Sequence, residues 1–86
     1  MATMATIDEV RQVLAATLQL GPRGASIESS THLLGGIPEL DSMAVVNVIT
    51  ALEEHFGIAV ADDEISANTF ETLASLSAFV ERKLAA

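Results

Sequence analysis

Apolar residues recur at helical spacing in three stretches of this chain, and no stretch alternates long enough to make a sheet. In the first, Ile7, Val10, Leu14 and Leu18 share a face. Thr6 and Glu9 stand in the capping-box relation, in which each side chain satisfies a free backbone N–H. The helix is therefore expected to start at Thr6, leaving residues 1–5 as a disordered tail, and to end at Gly21-Pro22. The second helix is expected from about Ser42 to His55. Val45, Val48, Ile49, Leu52 and Phe56 mark its buried face, Met43, Val46, Asn47, Thr50, Glu53 and Glu54 fall on the rest of its surface, and Gly57 stops it. The third begins near Asn68 or Thr69, with Glu71 completing a cap, and presents Leu73, Leu76, Phe79, Val80 and Leu84. Arg82 and Lys83 sit in its last turn, where the helix dipole favours cations. A short turn or helix is expected around Asp62-Asp63-Glu64-Ile65, and Ile58-Ala59-Val60 is too short and isolated to support a sheet.

Between the first two helices lies a long connection, from about Leu20 to Leu40. Its glycines and prolines (Gly21, Pro22, Gly24, Gly35, Gly36, Pro38) bar any long helix or strand. Ile27, Leu33, Leu34, Ile37 and Leu40 are available to pin it to a core. A connection longer than about 12–15 residues in a compact domain is usually functional or disordered, and these apolar anchors favour an ordered, functional loop. The fold class expected is all-α: three main amphipathic helices and one short one, packed as a small bundle in a single domain spanning residues 1–86.

Composition narrows the function. A chain of 86 residues cannot enclose a deep active site as well as a core. The only aromatics are three phenylalanines, so the core is aliphatic. The net charge of −8 opposes binding to nucleic acid and to anionic membrane surfaces, and suits partners with basic patches as well as plain solubility. With no cysteine, disulfides, thiolate metal sites and cysteine nucleophiles are excluded. The N-terminal run Met1-Ala2-Thr3-Met4-Ala5-Thr6 does not read as a signal peptide. No apolar stretch approaches the ~20 residues of a membrane span, so no stable membrane insertion is expected and the chain reads as cytoplasmic.

The candidate chemistry lies in Gly35-Gly36-Ile37-Pro38-Glu39-Leu40-Asp41-Ser42-Met43. A glycine-rich loop delivers an Asp-Ser pair to the first turn of an amphipathic helix. Unpaired N–H groups and partial positive charge there favour a phosphate ester, so an exposed serine at this point suits a phosphodiester. Asp and Ser are also the preferred helix caps, and for the bare dipeptide capping alone is the ordinary explanation. Other sites are weaker. His32 and His55 are the only histidines, too few for a zinc site without a clustered ligand set. A hydrolase triad built on Ser42 lacks the glycine-flanked nucleophile elbow. Asp62-Asp63-Glu64 lacks the alternating ligands of a calcium loop and reads as a solvated helix start or part of a docking surface.

The run Leu40-Asp41-Ser42-Met43, then Val45-Val46 and Ala51-Leu52-Glu53-Glu54-His55-Phe56-Gly57-Ile58, resembles the acyl carrier protein family. Asp62, Asp63 and Glu64 before Ile65, and Thr69 ahead of Leu73, match as well, and the resemblance spans roughly Ile7 to Leu84. It implies a right-handed four-helix bundle of acyl-carrier type. It implies that a phosphopantetheinyl transferase, using coenzyme A and a divalent metal, attaches 4'-phosphopantetheine to Ser42, and that Asp41 supports this modification. It further implies that acyl-loading and acyl-transfer enzymes dock on the face formed by Met43, Val46, Asn47, Thr50, Glu53 and Glu54, and that the chain is a stand-alone monomer that catalyses nothing itself.

Two departures from the family pattern matter. Acids common two and five positions after the serine are replaced by Ala44 and Asn47, and Glu39-Leu40 stand where glycine and a small residue are common. The first points to a dedicated lipid, polyketide or polysaccharide-modification pathway rather than bulk fatty-acid synthesis. The second, with Pro38, points to a stiffer loop. The run from Leu33 to Met43 looks like carriers of exopolysaccharide and exosortase gene clusters. The alternative function is a small helical interaction module that is never modified, with Ser42 as a plain cap.

Overall fold

A computed structural model describes the backbone of residues 2–85 and the side chains of residues 6–61 and 63–85. The expected all-α architecture is present. Three α-helices, α1 (Ala2–Leu18), α2 (Ser42–Phe56) and α3 (Leu73–Ala85), are joined by a long first connection holding a 3-10 turn (Gly21–Ser26) and a second connection holding another (Asp62–Glu64). Helix α1 is the hub, because it packs against both α2 and α3.

Helix α1 begins four residues earlier than its capping box implies, so the expected tail is helical over 2–5; Met1 lies outside the described residues. Ala2, Met4 and Ala5 are good helix formers, and no breaker separates them from Thr6. Thr6 is buried within the helix, and Glu9 turns outward to pair with His55 of α2 at 2.9 Å. The helix stops where Gln19 takes a positive φ of 55° and the Leu20 N–H donates to the Ala15 carbonyl at 3.0 Å. Arg11 ties the helix to the loop by donating from Nε to the Ile27 carbonyl at 2.8 Å.

The long connection is pinned by Ile27, Leu33, Ile37 and Leu40, all buried, as its sequence suggests. Leu34 is the exception, at 44% exposure. The chain turns over residues 34–36, so Leu33 reaches the core and Leu34 does not. This segment hydrogen-bonds to the stretch before α3: the Leu33 N–H donates to the Glu71 carbonyl at 2.9 Å and the Leu34 N–H to the Phe70 carbonyl at 3.0 Å. His32 and Thr72 form an isolated antiparallel bridge.

That pairing explains why α3 starts at Leu73 and not at Asn68 or Thr69. The backbone of residues 70–72 is committed to the loop, so it cannot also enter a helix. Thr72 and Ser75 supply the cap instead of Glu71: the Ser75 N–H donates to Thr72 Oγ1 at 3.1 Å and the Thr72 N–H to Ser75 Oγ at 2.9 Å. The Leu73 and Ala74 N–H groups donate to the Thr31 and Ser29 carbonyls at 3.3 and 2.9 Å. Phe70 is thereby turned into the core, where it is the largest fully buried side chain. Leu73, Leu76, Phe79 and Val80 are buried as expected, but Leu84 is 46% exposed because the last turn runs past the packed cluster. Lys83 in that turn reaches Glu64 at 2.8 Å, and Arg82 lies over the Phe79 ring at 5.9 Å.

Candidate functional site

Helix α2 has the extent and punctuation its sequence predicts. Val48 and Leu52 are fully buried, with Val45, Ile49 and Phe56 half-buried beside them. Gly57 ends the helix in the left-handed region (φ 67°, ψ 36°), its N–H donating to the Glu53 carbonyl at 2.9 Å. Glycine adopts that conformation without the cost an L side chain incurs.

The entry to α2 is built from Leu40, Asp41 and Ser42. Leu40 is buried, and its N–H donates to the Ile37 carbonyl at 3.0 Å, so the chain is anchored one residue before the cap. Glu39, just outside that anchor, forms an ion pair with Arg23 of the Gly21–Ser26 turn, which ties the two ends of the loop together. Asp41 is extended (φ −99°, ψ −174°), and its Oδ1 accepts the Ala44 N–H at 2.8 Å. Its carbonyl accepts the Val45 N–H at 2.9 Å.

Asp41 is therefore the cap, and Ser42 is the first residue inside the helix. The Ser42 side chain is exposed and makes no hydrogen bond among the described residues. The N–H groups of Ser42 and Met43 belong to the first turn and have no intrahelical acceptor. The arrangement presents a primary alcohol to solvent at the positive end of a helix of about four turns, held in place by a cap that does not use the alcohol.

The other predicted site residues divide into two groups. Met43 and Val46 are exposed at 72% and 58%, and Asn47, Thr50 and Glu54 are exposed as well. Thr50 Oγ1 donates back to the Val46 carbonyl at 3.1 Å. Glu54 lies to one side, lining a shallow hollow with Val13, Thr17 and Ala51 against α1. Glu53 differs: it is half-buried, and its Oε2 accepts the Val60 N–H at 2.8 Å, which fixes the chain leaving α2. Sequence reasoning missed this, since the donor comes from a loop with no local signal. Glu64 carries a pKa below the ordinary glutamate range, first because Lys83 hydrogen-bonds its carboxylate and then because the Ala61 N–H does. No cluster of three or more metal-ligating side chains occurs among the described residues.

With this geometry in hand, comparison with known proteins is informative. A family model described as a phosphopantetheine attachment site matches residues 8–80. The acyl carrier protein of Campylobacter hominis is 39% identical over 62 residues, covering 71% of this chain and 73% of that one. The chain belongs to the acyl carrier protein family. The fold of this carrier also matches the solution NMR structure of a holo acyl carrier protein from Nitrosomonas europaea, with a TM-score of 0.87 and 61% identity over 93% of this chain and 96% of that one. The carrier is not an enzyme, and its cofactor is covalently bound 4'-phosphopantetheine. The residues fit that group: an exposed, unbonded hydroxyl and two unclaimed N–H groups are what a serine phosphodiester requires. No helix among the described residues is long and apolar enough to cross a membrane.

Proposed function

We propose that this carrier holds its phosphopantetheine on Ser42 and presents acyl groups to the enzymes of a dedicated lipid, polyketide or polysaccharide-modification pathway. The observation that carries the proposal is the separation of duties at the start of α2. Asp41 does the capping, so the Ser42 hydroxyl is free, exposed and rigidly sited. Asp41 supports modification by fixing the first turn and placing a carboxylate beside the hydroxyl that a phosphopantetheinyl transferase must engage. When bound, the arm supplies the thiol that this cysteine-free chain lacks, and that thiol carries acyl groups as thioesters.

Met43, Val46, Asn47, Thr50, Glu53 and Glu54 form the face on which the transferase and the acyl-loading and acyl-transfer enzymes dock. The surplus of acidic residues favours partners with basic patches, drawn in at long range. Ala44 and Asn47 favour a dedicated pathway, because the acids typical of bulk fatty-acid carriers are absent there. The carrier acts as a single-domain monomer in the cytoplasm.

Incubation with an acyl-coenzyme A, magnesium and a broad-specificity phosphopantetheinyl transferase tests the reading. The expected product is protein heavier by one acyl-phosphopantetheine, with the acyl part released by neutral hydroxylamine. Folded protein that gains no mass with this or a second transferase would identify an unmodified helical interaction module.

A further inference from the structure

The long connection between α1 and α2 leaves an open hollow of about 230 Å³ between its first part and its last. Leu20, Arg23 and Ile27 line it from the first part, and Gly36, Ile37 and Pro38 from the last. Across it, the Arg23–Glu39 ion pair is the only side-chain link between the two parts among the described residues.

Glu39 depends on that link. Its Oε2 accepts from Arg23, and its Oε1 is buried with no hydrogen-bond partner among the described residues. A carboxylate covered in this way needs its countercharge. Without Arg23 the carboxylate is better solvated by turning out to water, and the backbone that carries it is released to follow.

That backbone leads directly to the attachment residue. The Glu39 carbonyl accepts the Asp41 N–H at 3.2 Å, and the Asp41 carboxylate accepts the Ala44 N–H at 2.8 Å. Ser42 lies between these two bonds. Glu39-Leu40 stand where glycine and a small residue are common among acyl carriers, so the link comes with this chain's departure from the family pattern.

Resting on the assignment of Ser42 as the attachment residue, we infer that Arg23 and Glu39 are positioning residues for the loading reaction, their ion pair acting as a strut across the loop that holds Asp41 and Ser42 in place. Loading forms a bond from Ser42 Oγ to the phosphorus on the pantetheine side of coenzyme A. The P–O bond to the nucleotide breaks, the nucleotide leaves with the electron pair, and the hydroxyl proton is released. A shift of about 1 Å in such a nucleophile can cost up to about a hundredfold in rate. The strut acts through Asp41, without contact with the reacting atoms.

The test measures amide hydrogen exchange at Ala44, and kcat and KM for loading by a broad-specificity phosphopantetheinyl transferase with coenzyme A and magnesium. The proteins are the wild type, Arg23→Met, Glu39→Gln, Arg23→Met/Glu39→Gln and Arg23→Lys. Each neutral single variant should speed Ala44 exchange and lower kcat by about threefold or more, with KM within about twofold. The double variant should be no worse than either single, because both remove the same link. Arg23→Lys keeps the charge and should stay within about twofold of wild type. An ion pair this exposed adds little to global stability, so the thermal melts should match. A slow Glu39→Gln beside a normal Arg23→Met would make Glu39 a direct contact of the transferase, and losses that multiply in the double variant would make the two residues independent. Either result overturns the inference, as do wild-type values throughout. A wild type that accepts no arm overturns the assignment of Ser42 itself, while Ala44 exchange still reports on the strut.

Discussion

Replacing Asp41 with alanine removes the acceptor that holds the Ala44 N–H at 2.8 Å and exposes an unsatisfied donor in the first turn of α2. Loss of such a cap costs about 0.5–2 kcal/mol. An 86-residue domain has a total stability of roughly 4–13 kcal/mol. For a domain of this size each kcal/mol shifts the midpoint by about 4–8 °C, so Asp41→Ala should melt several degrees below the wild type. Asp41→Asn keeps an acceptor and should recover most of the loss. Ser42→Ala should behave differently. Its hydroxyl is exposed and has no partner among the described residues, so its melt should stay within about 0.5 kcal/mol of wild type. Thermal melts followed by circular dichroism at 222 nm on the four proteins, side by side, read this directly. A Ser42→Ala protein that melts lower than Asp41→Ala would refute the separation of cap from attachment residue.

Other consequences are as specific. Phe70→Ala should cost about 3–5 kcal/mol in urea denaturation, since it empties the largest fully buried position; a cost under about 1 kcal/mol would show that the 70–72 pairing is not structural. The folded pKa of Glu64 lies below its unfolded value, so the tether to Lys83 contributes above the ordinary glutamate pKa of about 4.3 and is lost as pH falls through the folded value. Lys83→Met should move the Glu64 carboxyl titration, followed by carbon NMR, up toward the ordinary range; an unchanged titration would remove Lys83 as the cause. Fatty-acid synthase enzymes should elongate chains on this carrier more slowly than on their own carrier, and equal rates would contradict a dedicated pathway.

Helix α2 was legible in the sequence because its signals are local: Asp41 as cap, apolar residues at helical spacing, and Gly57 where a left-handed residue is needed. The Asp-Ser pair was legible as a cap, and structure was needed to show that Asp41 and not Ser42 does the capping. Both misplaced helix starts have non-local or permissive causes. Thr6 and Glu9 have the pattern of a cap, but a cap signal does not stop a helix whose preceding residues also favour it. Asn68 and Glu71 have the same spacing, but residues 70–72 pair with a loop nearly forty positions earlier, which no local pattern reports. The hydrogen bond from the Val60 N–H to Glu53 was not legible because Val60 lies around the turn after Gly57. Leu34 and Leu84 read as core because hydrophobicity was visible and the limits of the packed cluster were not.

The most direct test of the central claim is fragment-ion mass spectrometry of the protein after incubation with coenzyme A, magnesium and a broad-specificity phosphopantetheinyl transferase, with Ser42→Ala alongside. One phosphopantetheine on Ser42 of the wild type, and none on the variant, is the result this account predicts. The group on another hydroxyl, or equal gain on Ser42→Ala, would contradict it.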